Sequence, residues 1–361
     1  MKRHIRCQSR FFLGIFAFVY LLSGNGVAGE THSDGWASKG TQISSIAIDP
    51  VNTNTLYIGT QRGLFKSTDG GSSWICVNTG LKNNDVLSIV IDPLNTRTLY
   101  VGTRCGAFKS VDGGDQWRLM RSCLYEVAVS AIAIDPANTN TVYAIAQDAA
   151  WIVAVFMNHE SGSWHESNLR DCAFKSTNGG EKWFSINVGF EDLNLKLESF
   201  VIDPSRSNIL YAGTWCGIYK SIDWGLKWPV RKCKLRALHV KAIAIDPRNH
   251  YTIYAGTMVG VFKSTDGGDN WTYRSKGLPK SDVRTLAVEP DNTATLYAGT
   301  VNGVFKSTNG GTHWFEMNNG LNHRKIKALA IDPVTHDILY AGTVDGLYKS
   351  TDGGNNWILS K

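Results

Sequence analysis

The side chains with chemistry to offer gather in one irregular stretch. Residues 147–171 hold His159-Glu160 and His165-Glu166, with Trp151 and Trp164 beside them. Two His-Glu pairs have the donor types of a metal site, but in an apolar loop they read as surface histidines, and no metal is expected. Exposed indoles suit protein anchors or sugar faces. Glycan hydrolysis needs two carboxyl groups roughly 5–10 Å apart, and Glu166 with Asp345 is one instance of such a pair. Arg62, Arg104, Trp215, Met258, Asn302 and Asp345 lie in the same two-residue Thr-to-Gly loop of their repeats, and Glu191 and Asp192 follow the third repeat. Arg231, Lys232, Lys234 and Arg236 form a local basic patch whose simplest account is a solvated loop. Zinc-type Cys-x-x-Cys, phosphate-binding Gly-x-x-x-x-Gly-Lys-Ser/Thr and haem-type Cys-x-x-Cys-His patterns do not occur, and no cofactor is expected.

The elements that must position these residues are repeats. Ser-x-Asp/Asn-x-Gly-x-x-Trp begins at Ser67, Ser110, Ser176, Ser221, Ser264, Ser307 and Ser350, with spacings of 43, 66, 45, 43, 43 and 43 residues. An apolar segment ending in Asp-Pro, then Leu-Tyr-Ala-Gly-Thr, then Gly-Val-Phe-Lys-Ser keep step with it. A period in the forties with several short strands per repeat predicts an all-β, seven-bladed propeller of four-stranded antiparallel blades. In the repeat from Asp282 to Gly320, strands are expected over 283–288, 295–299 and 303–307, with Trp314 opening a fourth. Proline ends the first strand by removing a ladder donor.

The box would then be the hairpin between the third and fourth strands. Its acid or amide (Asp69, Asp112, Asn178, Asp223, Asp266, Asn309, Asp352) would accept turn N–H groups, and its Gly would supply a positive φ. Its Trp would bury a large area beside the next blade. Features present in every blade, including the Lys before each Ser, read as structural. So do the Asp-Pro acids Asp49, Asp92, Asp135, Asp203, Asp246, Glu289 and Asp332.

These boxes resemble those of the Asp-box (bacterial neuraminidase repeat) propellers: sialidases, xyloglucan-type endoglucanases, the sortilin luminal domain and the photosystem II assembly factor. The resemblance spans residues 41–361 and implies the fold, not a function. Family sialidases carry an Arg-Ile-Pro motif, and none occurs here. Xyloglucanases place two acids in a cleft between tandem propellers, and this chain holds residues for one. The resemblance therefore favours a non-catalytic binding or assembly platform with a protein partner, by analogy with sortilin and the photosystem factor. A glycoside hydrolase or carbohydrate-binding propeller is the alternative.

Strand alternation puts the 147–171 insertion on the face opposite the boxes. Blades 2 to 4 carry most departures from the repeat, whereas blades 1, 5, 6 and 7 are nearly interchangeable, so blades 2 to 4 are the expected functional sector. If each hairpin sets Ser opposite Trp, extending the ladders brings Cys105 near Cys123 and Cys216 near Cys233. That predicts two intrablade disulfides, while Cys76 and Cys172 read as thiols.

Residues 1–28 read as a signal peptide, with Lys2, Arg3, Arg6 and Arg10 ahead of an apolar stretch, so a secreted or periplasmic protein is expected. Its removal lowers the formal charge from +6 to about +2 (33 Lys and Arg against 31 Asp and Glu), which gives no electrostatic case for nucleic acid or an anionic membrane surface, and no membrane span is expected after processing. Within residues 29–40, Ser33 to Gly40 resemble a vestigial box that would close the ring.

Overall fold

The computed structural model describes residues 40–120, 124, 126–147, 171–189, 196–229, 235 and 238–360. The proposed signal peptide and residues 33–39 lie outside this set. So do the insertion's Trp151, His159, Glu160, Trp164, His165 and Glu166, the patch residues Arg231 and Lys232, and Cys123 and Cys233.

Seven antiparallel sheets, each from one contiguous stretch, form a seven-bladed propeller, and the described residues contain no α-helix. Blade 6 is typical, with Val283–Val288, Leu296–Thr300, Gly303–Ser307 and Phe315–Glu316 hydrogen-bonded in that order. The first strand is innermost. Blade 4 shows three strands among its described residues. Blade 7 has a fourth strand of its own, Ile358–Leu359, and the ring-closing role expected of residues 33–40 falls almost wholly outside the described residues.

Apolar cores lie between blades, not within them. Ala287, Tyr297 and Val304 of blade 6 pack against Leu329, Leu339 and Trp357 of blade 7, all buried. The second-strand glycine follows from this packing. A Cβ on Gly299 would lie 2.3 Å from Thr285 Cγ2 in its own sheet and 2.6 Å from Ile326 Cγ2 in the next.

A latch repeats around the ring. The second-strand Tyr and the third-strand Lys both donate to a box carbonyl of the following blade. Tyr57 Oη and Lys66 Nζ each lie 2.8 Å from Gly113 O. Tyr297 and Lys306 reach Gly353 O at 3.1 Å. Tyr340 and Lys349 reach Gly70 O at 3.0 and 2.7 Å, which locks blade 7 onto blade 1 and closes the ring. In all seven blades the ammonium lies 5.1–5.7 Å from the centre of its Tyr ring.

The boxes do what their residue types demand. Ser67 Oγ donates to Asp69 Oδ1 at 2.8 Å and accepts from Gly71 N at 2.8 Å, and Asp69 Oδ1 takes the N–H groups of Ser72 and Ser73. The side-chain hydrogen bond from Ser73 leads a set that holds the Asp69 carboxyl well below the usual carboxylate range. The Asp-Pro acids also form turns: Asp49 Oδ1 accepts from Val51 N and Asn52 N.

One expectation is reversed. The box Trp packs on the preceding blade, not the next. Trp314 Nε1 donates to Arg274 O and Trp357 Nε1 to Met317 O, both at 2.8 Å. The hairpin is the outer corner of its blade, and the forward side is already occupied by the Tyr-Lys latch.

Candidate functional site

The hairpins between second and third strands sit beside the start of the innermost strand. Arg104 N donates to Asp85 O, Trp215 N to Lys196 O and Val301 N to Asp282 O. The box hairpins instead meet the Asp-Pro turns, as in Gly70 N to Asn54 O. The two sets therefore define opposite faces. Gln147 and Asp171, which flank the insertion, pair at the end of their ladder on the face away from the boxes.

Each sequence-predicted residue in the described set lies on this face, at its own hairpin. Arg62 is exposed, and Arg104 Nε is bonded to Asp85 Oδ2 within blade 2. Asp345 Oδ2 lies 3.4 Å from His323 Nε2 within blade 7. Asn302 Nδ2 donates to Ser281 Oγ at 3.2 Å. Trp215 alone belongs to a larger cluster.

That cluster is built on a feature no repeat pattern announced. In each of the seven innermost strands the ladder skips one residue near this face. Val240 pairs with Thr257 and Ala242 with Gly256, Val283 with Thr300 and Thr285 with Gly299, Ile326 with Thr343 and Ala328 with Gly342. The skipped residue is the extra member of a β-bulge, a device that re-aims a side chain. The seven bulge residues are Ser44, Leu87, Ser130, Glu198, Lys241, Arg284 and Lys327. They surround the mouth of the central axis at equivalent positions. Three are uncharged, and four consecutive ones are charged.

Of the charged ones Glu198 and Lys327 are buried, and Lys241 and Arg284 are partly buried. The Glu198 carboxylate, 2 % exposed, accepts from Trp215 Nε1 at 2.7 Å, with His239 Nε2 at 3.1 Å and Lys196 Nζ at 3.6 Å. The ring of Trp215 lies 5.3 Å from that of His239, edge to face, and Lys196 Nζ sits 5.2 Å from the indole. Burial alone would raise the Glu198 pKa, but His239, Trp215 and Lys196 outweigh it and hold the carboxyl below its ordinary value.

In blade 6, Asp282 Oδ2 accepts from Lys241 Nζ at 2.9 Å and Arg284 Nε at 3.1 Å. Burial again pulls upward and these two cations pull further downward, so Asp282 stays ionised. Lys327, 8 % exposed, has no carboxylate within ion-pair distance among the described residues. Burial first, then the charges of Arg284, Lys325 and Lys241, bring its ammonium pKa down to about 8, with Asp282 a weaker opposing influence. The two described acids of this mouth are thus pinned as anions, which suits ligand binding and not a general acid of raised pKa.

This constellation spans blades 4 to 7, whereas loop irregularity had pointed to blades 2 to 4. The signal for it was present: one charged residue recurs at the same place of an otherwise apolar strand in four successive repeats. Its visibility depends on aligning the repeats at the first strand and not at the box.

The predicted disulfides keep one half each in view. Cys105 and Cys216 stand at matching hairpin tips, their N–H groups bonded to Thr103 and Thr214 hydroxyls. Phe108 pairs with Leu119 and Lys109 with Arg118, the register that the prediction assumed for blade 2. No disulfide joins two described cysteines, and the proposed partners lie outside the described residues. Cys76 is exposed and Cys172 buried. Among the described residues no group of three or more His, Cys, Asp or Glu is arranged to hold a metal ion, and no helix is long and apolar enough to cross a membrane.

No protein-family model and no curated protein matches the chain. Solved structures do. An ancestral GH74 enzyme is 22 % identical, covers 96 % of this chain and 48 % of its own, and superposes with a TM-score of 0.72. The GH74 xyloglucanase of Xanthomonas campestris is 16 % identical over 90 % of this chain and 55 % of its own, at 0.73. YCF48 from Cyanidioschyzon merolae is 13 % identical over 88 % of this chain and 97 % of its own, at 0.60. A structure titled as YCF48 bound to D1 peptide matches at the same score. The chain thus spans about half the length of the GH74 enzymes and nearly all of YCF48. The likeness is one of fold.

Proposed function

We propose that this chain is an exported, non-catalytic binding platform that receives a protein partner on the face opposite the boxes. The observation that carries the reading is the buried ionic mouth of blades 4 to 7, where Glu198, Lys241, Arg284 and Lys327 occupy equivalent bulges. Burying charge is costly unless it is paired, and nothing in the propeller fold demands charge there, since blades 1 to 3 close the same ring with Ser44, Leu87 and Ser130. Trp215, 46 % exposed, lies at the rim of this mouth as an aromatic anchor. The peptide-bound YCF48 structure supports a protein ligand for a propeller of this length. The 147–171 insertion, with Trp151 and Trp164, would add contact area from blade 3. The Cys105–Cys123 and Cys216–Cys233 disulfides would brace hairpins on the same face.

The likeness to GH74 enzymes supports a second reading, a carbohydrate-binding or glycan-cleaving propeller. It requires an acid pair, with Glu166 and Asp345 as the candidates.

Affinity capture from the native envelope or secreted fraction separates the two. The mature protein is compared with a variant whose residues 147–171 are replaced by Val-Asn, the loop of blade 6. The platform reading expects one identified protein to be retained by the first and lost by the second. Retention of no protein, together with glycan cleavage that disappears when Glu166 and Asp345 become amides, would overturn it.

A further inference from the structure

Three adjacent bulge positions of the mouth carry hydrogen-bond donors that the protein does not use. Arg284 Nη1 is buried without a partner, although Nε of the same guanidinium is bonded to Asp282. Lys327 is buried at 8 % exposure, and the nearest charges acting on it are mostly cations. Ser44, the bulge residue of the blade that follows Lys327 around the ring, has a fully buried hydroxyl with no partner. Unmade hydrogen bonds of buried donors cost stability, and an unpaired buried ammonium costs more. Four cations, Lys241, Arg284, Lys325 and Lys327, face a single carboxylate, Asp282. A doubly charged oxyanion would complement that excess where a single carboxylate would leave it uncompensated.

One further atom selects among oxyanions. Asp282 commits Oδ2 to Lys241 and Arg284, while its Oδ1 is buried with no partner. Hydrogen phosphate near neutral pH can be doubly charged and still keep one proton to donate in a hydrogen bond to that oxygen, whereas a phosphomonoester that is doubly charged has none. A sulfuryl group has no such proton and would meet a bare carboxylate lone pair.

We infer that the mouth over blades 5 to 7 binds free hydrogen phosphate, held by Lys241, Arg284 and Lys327, with Asp282 Oδ1 accepting from its hydroxyl. Arg284 and Lys327 supply charge-assisted bonds, and Lys241 is already positioned by Asp282. Binding is non-covalent and no bond of the ligand changes. The inference goes beyond the partner reading and does not depend on it, because the ion is recognised without a protein attached.

Calorimetry on the mature protein near pH 7 tests it, with inorganic phosphate, phosphoserine, sulfate and acetate as probes. Phosphate is expected to bind, and phosphoserine, whose dianion has no proton for Asp282 Oδ1 to accept, is expected to bind more weakly. Sulfate and acetate are each expected to bind about tenfold more weakly or worse, the cost of a lost charged hydrogen bond. Arg284→Gln and Lys327→Met should each weaken phosphate binding about tenfold or more, while Arg118→Gln, at an exposed fourth strand away from the mouth, leaves it unchanged. Lys327→Met should also melt at a higher temperature than the parent without ligand, which guards against loss of binding through misfolding. Absence of phosphate binding at millimolar concentration overturns the assignment. So does unchanged affinity in Lys327→Met, or sulfate binding as tightly as phosphate.

Discussion

The two faces of the ring solve opposite problems with the same sevenfold backbone. On the box face, equivalent positions carry equivalent chemistry. Each box Ser bonds its Asp or Asn, and the Tyr-Lys pair stacks in every blade. At the opposite mouth, equivalent bulges carry Ser, Leu, Ser, Glu, Lys, Arg and Lys, and the Ser44 hydroxyl and Arg284 Nη1 are buried and unpaired. Repetition with full satisfaction marks scaffold. Divergence at a conserved backbone position, at a cost in stability, marks use.

Four substitutions break or sharpen this contrast. The largest effect belongs to the scaffold. Trp314→Ala removes a buried indole, 3 % exposed, that bonds the preceding blade, and should destabilise by about 3–5 kcal/mol in denaturant titration. The mouth should respond with the opposite sign. Lys327 has a lowered pKa in the fold, so the unfolded chain binds its proton more tightly between about pH 8 and its ordinary value. Stability should therefore rise with pH across that window and be lowest below it, where Lys327 is charged while buried. Lys327→Met should stabilise the protein by roughly 2 kcal/mol at pH 7, after allowance for screening, and flatten that rise.

A smaller gain is expected at Trp224. It stands where the other six boxes have Gly, at φ 58°, a left-handed conformation that a side chain resists. Trp224→Gly should stabilise by about 1 kcal/mol, measured as the change in denaturation midpoint at constant slope. Smallest is Arg62→Gln, an exposed hairpin tip, for which a change within about 0.5 kcal/mol is expected.

Acid gives a fifth check, on the boxes alone. The carboxyls of Asp69, Asp112, Asp266 and Asp352 are all held below their ordinary values by turn and side-chain hydrogen bonds. Because the folded pKa values are depressed, this stabilisation is complete above about pH 4 and is lost as pH falls through them. The melting temperature should drop between pH 4 and pH 2. Amide substitution at these positions, as nature has at Asn178 and Asn309, should reduce the drop.

Much of the scaffold was legible in the chain. The first strand of blade 6 runs over Val283–Val288 as its alternation requires, and the Asp-Pro acids and box glycines form the turns their chemistry suggests. Two things were not legible, each for a physical reason. The direction of the box Trp depends on which side of the hairpin the Tyr-Lys latch fills, a long-range matter. The ionic mouth was hidden because a bulge inserts its residue without breaking the apolar run, and because Glu198, Lys241, Arg284 and Lys327 lie about one repeat apart in sequence.

The most direct test sets one face against the other. The identified partner is captured with the parent protein, with a mouth variant carrying Lys241→Gln, Arg284→Gln and Lys327→Met, and with a box-face variant carrying Ile222→Ser, Leu226→Ser and Val334→Ser at exposed apolar positions. Loss of the partner by the mouth variant alone, with both variants folded, is the predicted result. Loss by the box-face variant, with the mouth variant still binding, would contradict the account.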